Sequence, residues 1–247
     1  MIDEAVQLEG FLPISYRTVE EEEYVRFLWE AFHDNCASGK NQFAFLAYHM
    51  LTMCFVYFNT WQIKQIRPDQ FATALIGFNK DMERDLLAAT SPFTFHVVNE
   101  SNVMRFLKLI QCDNGKIGTY TKLVKDRNDT AHSNGNIFFS TEAELAAKIR
   151  ETLRVVAEIQ SHSEAIIVDG YKGFLLDSAD PDERQHIDAS DQVREVLIHE
   201  GYMSLSDLDF CAKFDIAEFE GHPYYAEVGA LHAKVKGWVD TEEALAA

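Results

Sequence analysis

Basic residues are scarce in this chain: 22 Lys and Arg stand against 40 Asp and Glu, for a net charge of −18. That balance argues against broad nucleic-acid binding, because a phosphate backbone would be repelled. Cysteine is also sparse. Cys36, Cys54, Cys112 and Cys211 lie far apart with no CxxC pair, which speaks against a zinc knuckle or a disulfide framework and fits a reducing, cytoplasmic setting. The N-terminus lacks a basic stretch followed by an apolar one, so no export signal is expected. No GxGxxG, GxxxxGK[ST], HExxH or GxSxG string occurs, leaving dinucleotide, P-loop, zinc-protease and serine-hydrolase readings without a foothold, and no cofactor or metal is expected.

What is present is apolar and helical. Hydrophobic residues make up 47% of 247, including 18 Phe, enough for a sizeable core. Thr18 with Glu21 reads as a capping box opening a helix to about Asn35. Phe43 to Phe58 is nearly all apolar over 16 residues, short of the ~20 a membrane span needs, and contains His49. It is expected to be a helix buried in a bundle or at an interface, with His49 a core histidine bonded to a backbone or side-chain partner. Pro68 is placed to open a helix to about Leu87, an extended piece is expected at Phe93–Val98, and Ser101 is expected to cap a helix to Cys112. A helix from about Lys116 follows, stopped by Asn134-Gly135-Asn136 with Gly135 in the left-handed C′ position. Thr141 with Glu144 then opens a long helix carrying Leu145, Ile149, Leu153, Val156 and Ile159 at helical spacing.

After Gly173 the texture changes. Residues 177–189 read as an acidic linker, followed by amphipathic pieces near Val193–Glu200, Leu205–Phe214 and Tyr225–Trp238. The expected architecture is all-α: a bundle over about 10–172 and a small acidic helical appendage over 177–247.

The charge is unevenly spread. Residues 177–247 hold 17 acids and 5 bases, whereas 31–176 hold 15 of each. Between residues 105 and 127, Arg105, Lys108, Lys116, Lys122, Lys125 and Arg127 face only Asp113 and Asp126. This basic stretch leads into Arg127-Asn128-Asp129-Thr130-Ala131-His132, and Lys122 and Lys125 become candidate RNA-binding residues; a solvated helix face is the alternative.

The chemistry of that string suits RNA cleavage. The RNA 2′-OH is an intramolecular nucleophile with its approach to phosphorus prepaid, so no metal-activated water is required. His132 can move a proton near neutral pH, typically worth ~10²–10⁴ in rate. Arg127 can fork onto phosphate oxygens and stabilise the developing anion, and Asn128 can hold the imidazole or a phosphate oxygen. On an ideal helix Asn128 and His132 lie about 40° apart, but Arg127 and His132 about 140° apart, so a compact site needs either a fraying helix end that brings the two closer or a second copy of the helix across a twofold axis. The competing reading makes His132 an ordinary helix C-terminal residue, favoured there by the dipole.

The string resembles the R-[polar]-x₃-H signature of the HEPN superfamily. The resemblance covers about residues 15–170, with only the string itself specific. It implies a helical bundle that homodimerises into a metal-independent endoribonuclease with Arg127, Asn128 and His132 as its catalytic set, acting in defence, toxin–antitoxin pairs or RNA processing. Toxins of this superfamily that are modified by a partner nucleotidyltransferase carry Tyr two residues past the His. Asn134 stands there instead, so that mode of control is not implied. The alternative is a catalytically silent interaction or assembly module of the same fold. In a third version the acidic region, or a regulatory protein partner, covers the site.

Three other features have weaker functional readings. His33 and Cys36 share a helix face as a possible metal pair, and His49 could be a pH-sensitive interface residue. Gly221-His222-Pro223-Tyr224-Tyr225 could stack on bases. Packed structural roles are favoured for all three.

Overall fold

The computed structural model describes residues 2–132 and 134–246 and contains ten α-helices joined by 3₁₀ and π turns, with no β-strand among the described residues. The chain forms two compact units. One comprises residues 1–9 and 18–162, the other 10–17 and 163–247, and the chain passes between them within one long helix.

In the first unit, α1 (Val19–Ala37) opens with the Thr18 side chain accepting from the Glu21 amide, and three glutamates sit in its first turn. These carboxylates suit the positive end of the helix dipole. It packs on α2 (Asn41–Ile66), where Tyr48 and Phe32 have ring centroids 5.3 Å apart. α2 meets most other elements of the unit, which is why its sequence is apolar on every face and its 18-residue apolar window is 83% buried. The helix is long and apolar enough to cross a membrane, and most of its apolar surface is buried within the unit, with Phe43 and Met50 left exposed.

The single helix expected from Pro68 to Leu87 is two. α3 (Pro68–Ala74) ends before Gly77, which takes φ +100°, and Asn79 caps α4 (Lys80–Leu87) by accepting from the Met82 amide. A left-handed glycine followed by a strong N-cap residue resets the chain direction. The segment expected to be extended is a 3₁₀ helix, Pro92–Val97, capped by Ser91. Asn99, not Ser101, then caps α5 (Glu100–Val103), which tightens into a 3₁₀ helix over Met104–Ile110. Phe71 and Phe106 stack with centroids 5.1 Å apart and bind these short turns to the core.

α6 (Asn114–Ala131) is capped by Asp113 and buries Ile117, Tyr120, Leu123 and Val124, the spacing of one helical face. α7 (Glu142–Asp177) begins after the Thr141–Glu144 capping bonds and buries Leu145, Ile149, Val156 and Ile159 in its first half.

The second unit holds the end of α7, α8 (Ala189–Gln192), a π turn over Val193–His199, α9 (Leu205–Lys213) and α10 (Tyr225–Ala246). Residues 178–188 are irregular, and Ser178 accepts from the Gln192 side chain. Ser204 and Asp207 form a reciprocal capping box on α9. Gly201 ends the π turn, where any Cβ would collide with the Leu197 carbonyl. Residues 10–17 run across this unit, with Ile14 donating to the Met203 carbonyl at 3.0 Å and Ser15 bonded to His199 at 2.7 Å. The acidic region is thus a folded body with its own core of Val228, Leu231 and Val235.

Candidate functional site

The R-N-x₃-H string lies at the C-terminal end of α6, entirely in the first unit. Arg127 and His132 have different surroundings. Arg127 turns toward α5, its Nη2 atom 2.5 Å from Glu100 Oε1, with 30% of its side chain exposed. The other oxygen of Glu100, Oε2, is 2.9 Å from Nε2 of His49, which is buried on α2. Three helices therefore meet in one polar chain, His49–Glu100–Arg127. Burial raises the Glu100 carboxyl pKa, but the His49 and Arg127 hydrogen bonds and charges outweigh it and hold the group below its ordinary 4.5.

His49 is thus a core histidine with a side-chain partner, as expected, but its partner leads directly to Arg127. Glu100 is the residue that the string alone did not reveal. Its only sequence signal is a carboxylate just after the Asn99 cap, a position that helix electrostatics already explains.

His132 departs from the expected geometry. The helix ends at Ala131, and His132 is its cap, with φ −79°, ψ +142° and its amide on the Asn128 carbonyl at 3.1 Å. The Asn134-Gly135-Asn136 segment lies beyond the helix end rather than forming it. Gly135 does take φ +78°, but within the following turn. The imidazole of His132 is exposed and makes no side-chain hydrogen bond among the described residues. Asn128 is half-buried one turn earlier.

A clamp holds this end of the helix. Gln42, near the start of α2, donates to the Thr130 carbonyl at 2.9 Å and accepts from the Phe138 amide at 3.1 Å. The Asn134 side chain donates to the Asp129 carbonyl at 2.9 Å, and Phe45 packs on Phe139 with centroids 4.7 Å apart. Gln42 thus fixes both the end of α6 and the return of the chain, a role with no signature in the sequence.

The basic approach to the string is largely matched by acids. Lys148 of α7 is buried and pairs with Asp126 and with Glu151, the latter at 2.8 Å. Lys122 lies 3.6 Å from the same Glu151 but keeps 60% of its side chain exposed, so the pair is weak and the amine stays available. Lys125 is exposed and has no ion pair among the described residues.

Of the other candidates, His33 is packed, while Tyr224 of the Gly221–Tyr225 turn is exposed. His33 stacks on Trp29 with centroids 5.8 Å apart, and no group of three His, Cys, Asp or Glu could hold a metal ion among the described residues. His222 and Tyr224 lie 6.2 Å apart in a turn where Gly221 takes φ +92°.

Comparison of the chain with family models, with curated proteins and with solved structures finds no match.

Proposed function

We propose that this chain is a metal-independent endoribonuclease whose site is completed when two copies bring the C-terminal ends of α6 together. The observation that carries the reading is His132: an imidazole at the cap of α6, open to solvent and unpaired, one turn from Asn128 and five residues from a fixed arginine. An exposed, unpaired imidazole is free to take the 2′-OH proton or to protonate the leaving 5′-oxygen. Arg127 is oriented by Glu100, and a partly exposed guanidinium held in place costs little reorganisation when a phosphorane forms against it. Within one copy Arg127 turns to α5 while His132 faces water, so the pairing that suits catalysis is Arg127 of one copy with His132 of the other. Lys122 and Lys125 on the exposed side of α6 are the RNA contacts of this reading, and flexible single-stranded or loop RNA is the substrate able to reach in-line geometry.

The second reading, a catalytically silent assembly module, draws on one specific feature: Glu100 neutralises Arg127, and Asp126 and Glu151 both pair with buried Lys148. A cation already paired attracts phosphate less.

RNA cleavage by wild-type and His132→Ala protein, both in EDTA, with end-group analysis of the products, decides between them. Cleavage by wild type alone leaving 2′,3′-cyclic phosphates is the expected result. No cleavage by a folded, dimeric wild-type protein gives the assembly reading the lead.

A further inference from the structure

A second feature of the first unit stands without the RNA reading. Between α1, α2, the 3₁₀ helix at Pro92–Val97 and Glu100 lies a cavity of about 550 Å³. Its walls are aromatic and thioether: Tyr24 and Phe93 meet edge to face at 5.3 Å, and Tyr57, Met50 and Met53 complete the apolar surface. That volume suits a small organic molecule.

Among the ionisable side chains on this surface carboxylates predominate, beside His96 and the hydroxyls of Thr18 and Ser91. Glu20, Glu21 and Glu100 all line the cavity, and no Lys or Arg does. Glu21 also accepts from Ser91 at 2.5 Å, so one acidic wall is tied to the turn beneath it. The hydroxyls of Tyr24 and Tyr57 make no hydrogen bond among the described residues, although both rings line the cavity. Arg127 and His49 approach Glu100 from outside the cavity lining, and His96 lies on it.

Each ligand class meets this surface differently. An anion would face three carboxyl groups. A neutral apolar molecule would strip water from those groups and return nothing for it. An organic cation regains the lost hydration through charge-assisted hydrogen bonds, and the Tyr faces add cation–π attraction. We propose that this cavity binds an apolar, aromatic-sized amine, its ammonium pairing with Glu20 beside the Glu100 carboxylate, whose oxygens already hold Arg127 and His49, and its hydrocarbon lying between Tyr24, Tyr57 and Met53.

Calorimetric titration of the full chain with naphthylethylamine, beside its neutral isostere naphthylethanol, tests this. The amine is expected to bind at least about tenfold more tightly. Met50→Trp, a substitution at the half-exposed mouth, is expected to abolish binding of both while helical circular dichroism is unchanged. Glu100→Gln is expected to weaken the amine and not the alcohol. Since that change also disturbs Arg127 and His49, Glu20→Gln, on the exposed rim, serves as the second variant and is expected to shift affinity in the same direction. Equal affinity for amine and alcohol overturns the proposal. So does amine binding that survives Met50→Trp, or the absence of saturable amine binding by the wild type.

Discussion

Glu100 Oε1 lies 2.5 Å from Arg127 Nη2, and the same carboxylate reaches His49 on the central helix with its other oxygen at 2.9 Å. One short helix, α5, thereby locks the arginine of the R-N-x₃-H string to the core. Arg127 is fixed from behind rather than extended into water.

That lock has a stability consequence. Glu100→Ala leaves buried His49 without its partner and Arg127 without its counter-ion. The expected loss is ~1–3 kcal/mol, the cost of orphaning a buried polar group, read as a lower urea midpoint with the slope unchanged. Glu100→Gln keeps a hydrogen-bonding oxygen and is expected to lose less.

Acid sensitivity follows with a definite sign. Glu100 titrates below its ordinary 4.5, so the folded chain binds fewer protons there than the unfolded one. Its contribution is present above that value and lost as pH falls through the folded pKa. His232 is held below its ordinary 6.5, first by burial and then by Lys236, and its Nδ1 atom lies 2.8 Å from the Tyr171 hydroxyl. Protonation removes that acceptor, so this contribution also fades as pH falls, beginning in the higher window. Urea midpoints against pH should show two steps. Glu100→Gln flattens the lower and His232→Gln the upper.

Gln42→Ala is expected to cost about 1–2 kcal/mol, one to two ordinary hydrogen bonds. It releases both the Thr130 carbonyl and the Phe138 amide. Amide exchange should accelerate at the end of α6 and in the return to Phe139, while α1 stays protected.

A composite site makes a mixing prediction. Arg127→Ala and His132→Ala proteins are each expected to be inactive on RNA alone, and mixed heterodimers to recover up to one intact site in two. Full activity from a protein monomeric at micromolar concentration would refute the composite cleft.

The acidic region does not offer a clean excision. Ending the chain after Gly173 cuts α7 inside the second unit, two residues past Tyr171, whose hydroxyl is bonded to His232 of α10. The truncated chain is expected to aggregate, measured by light scattering, because Ile166, Ile167 and Tyr171 lose the burial they have in the full chain. Charge substitutions at exposed acids of this region, such as Asp182, Glu183 and Glu220, are the better probe of whether it covers the site.

The sequence by itself determined the long helices, α1, α2, α6 and α7, and not the short ones between Pro68 and Ile110. Local chemistry suffices at Thr18 and Thr141, whose side-chain oxygens each reach the amide three residues on, and α7 carries an unbroken helical period. It also placed His49 in the core, since a lone histidine in an apolar run has to find a partner inside. Only the tertiary structure decided which partner. Glu100 is 51 residues from His49 and 27 from Arg127 in sequence, and Gln42 is 88 from Thr130. No period or cap signals such pairs, because they depend on how α2, α5 and α6 cross. The break at Gly77 has a local cause, a left-handed glycine followed by the Asn79 cap, while the 3₁₀ turn at Pro92–Val97 buries Phe95 in the core.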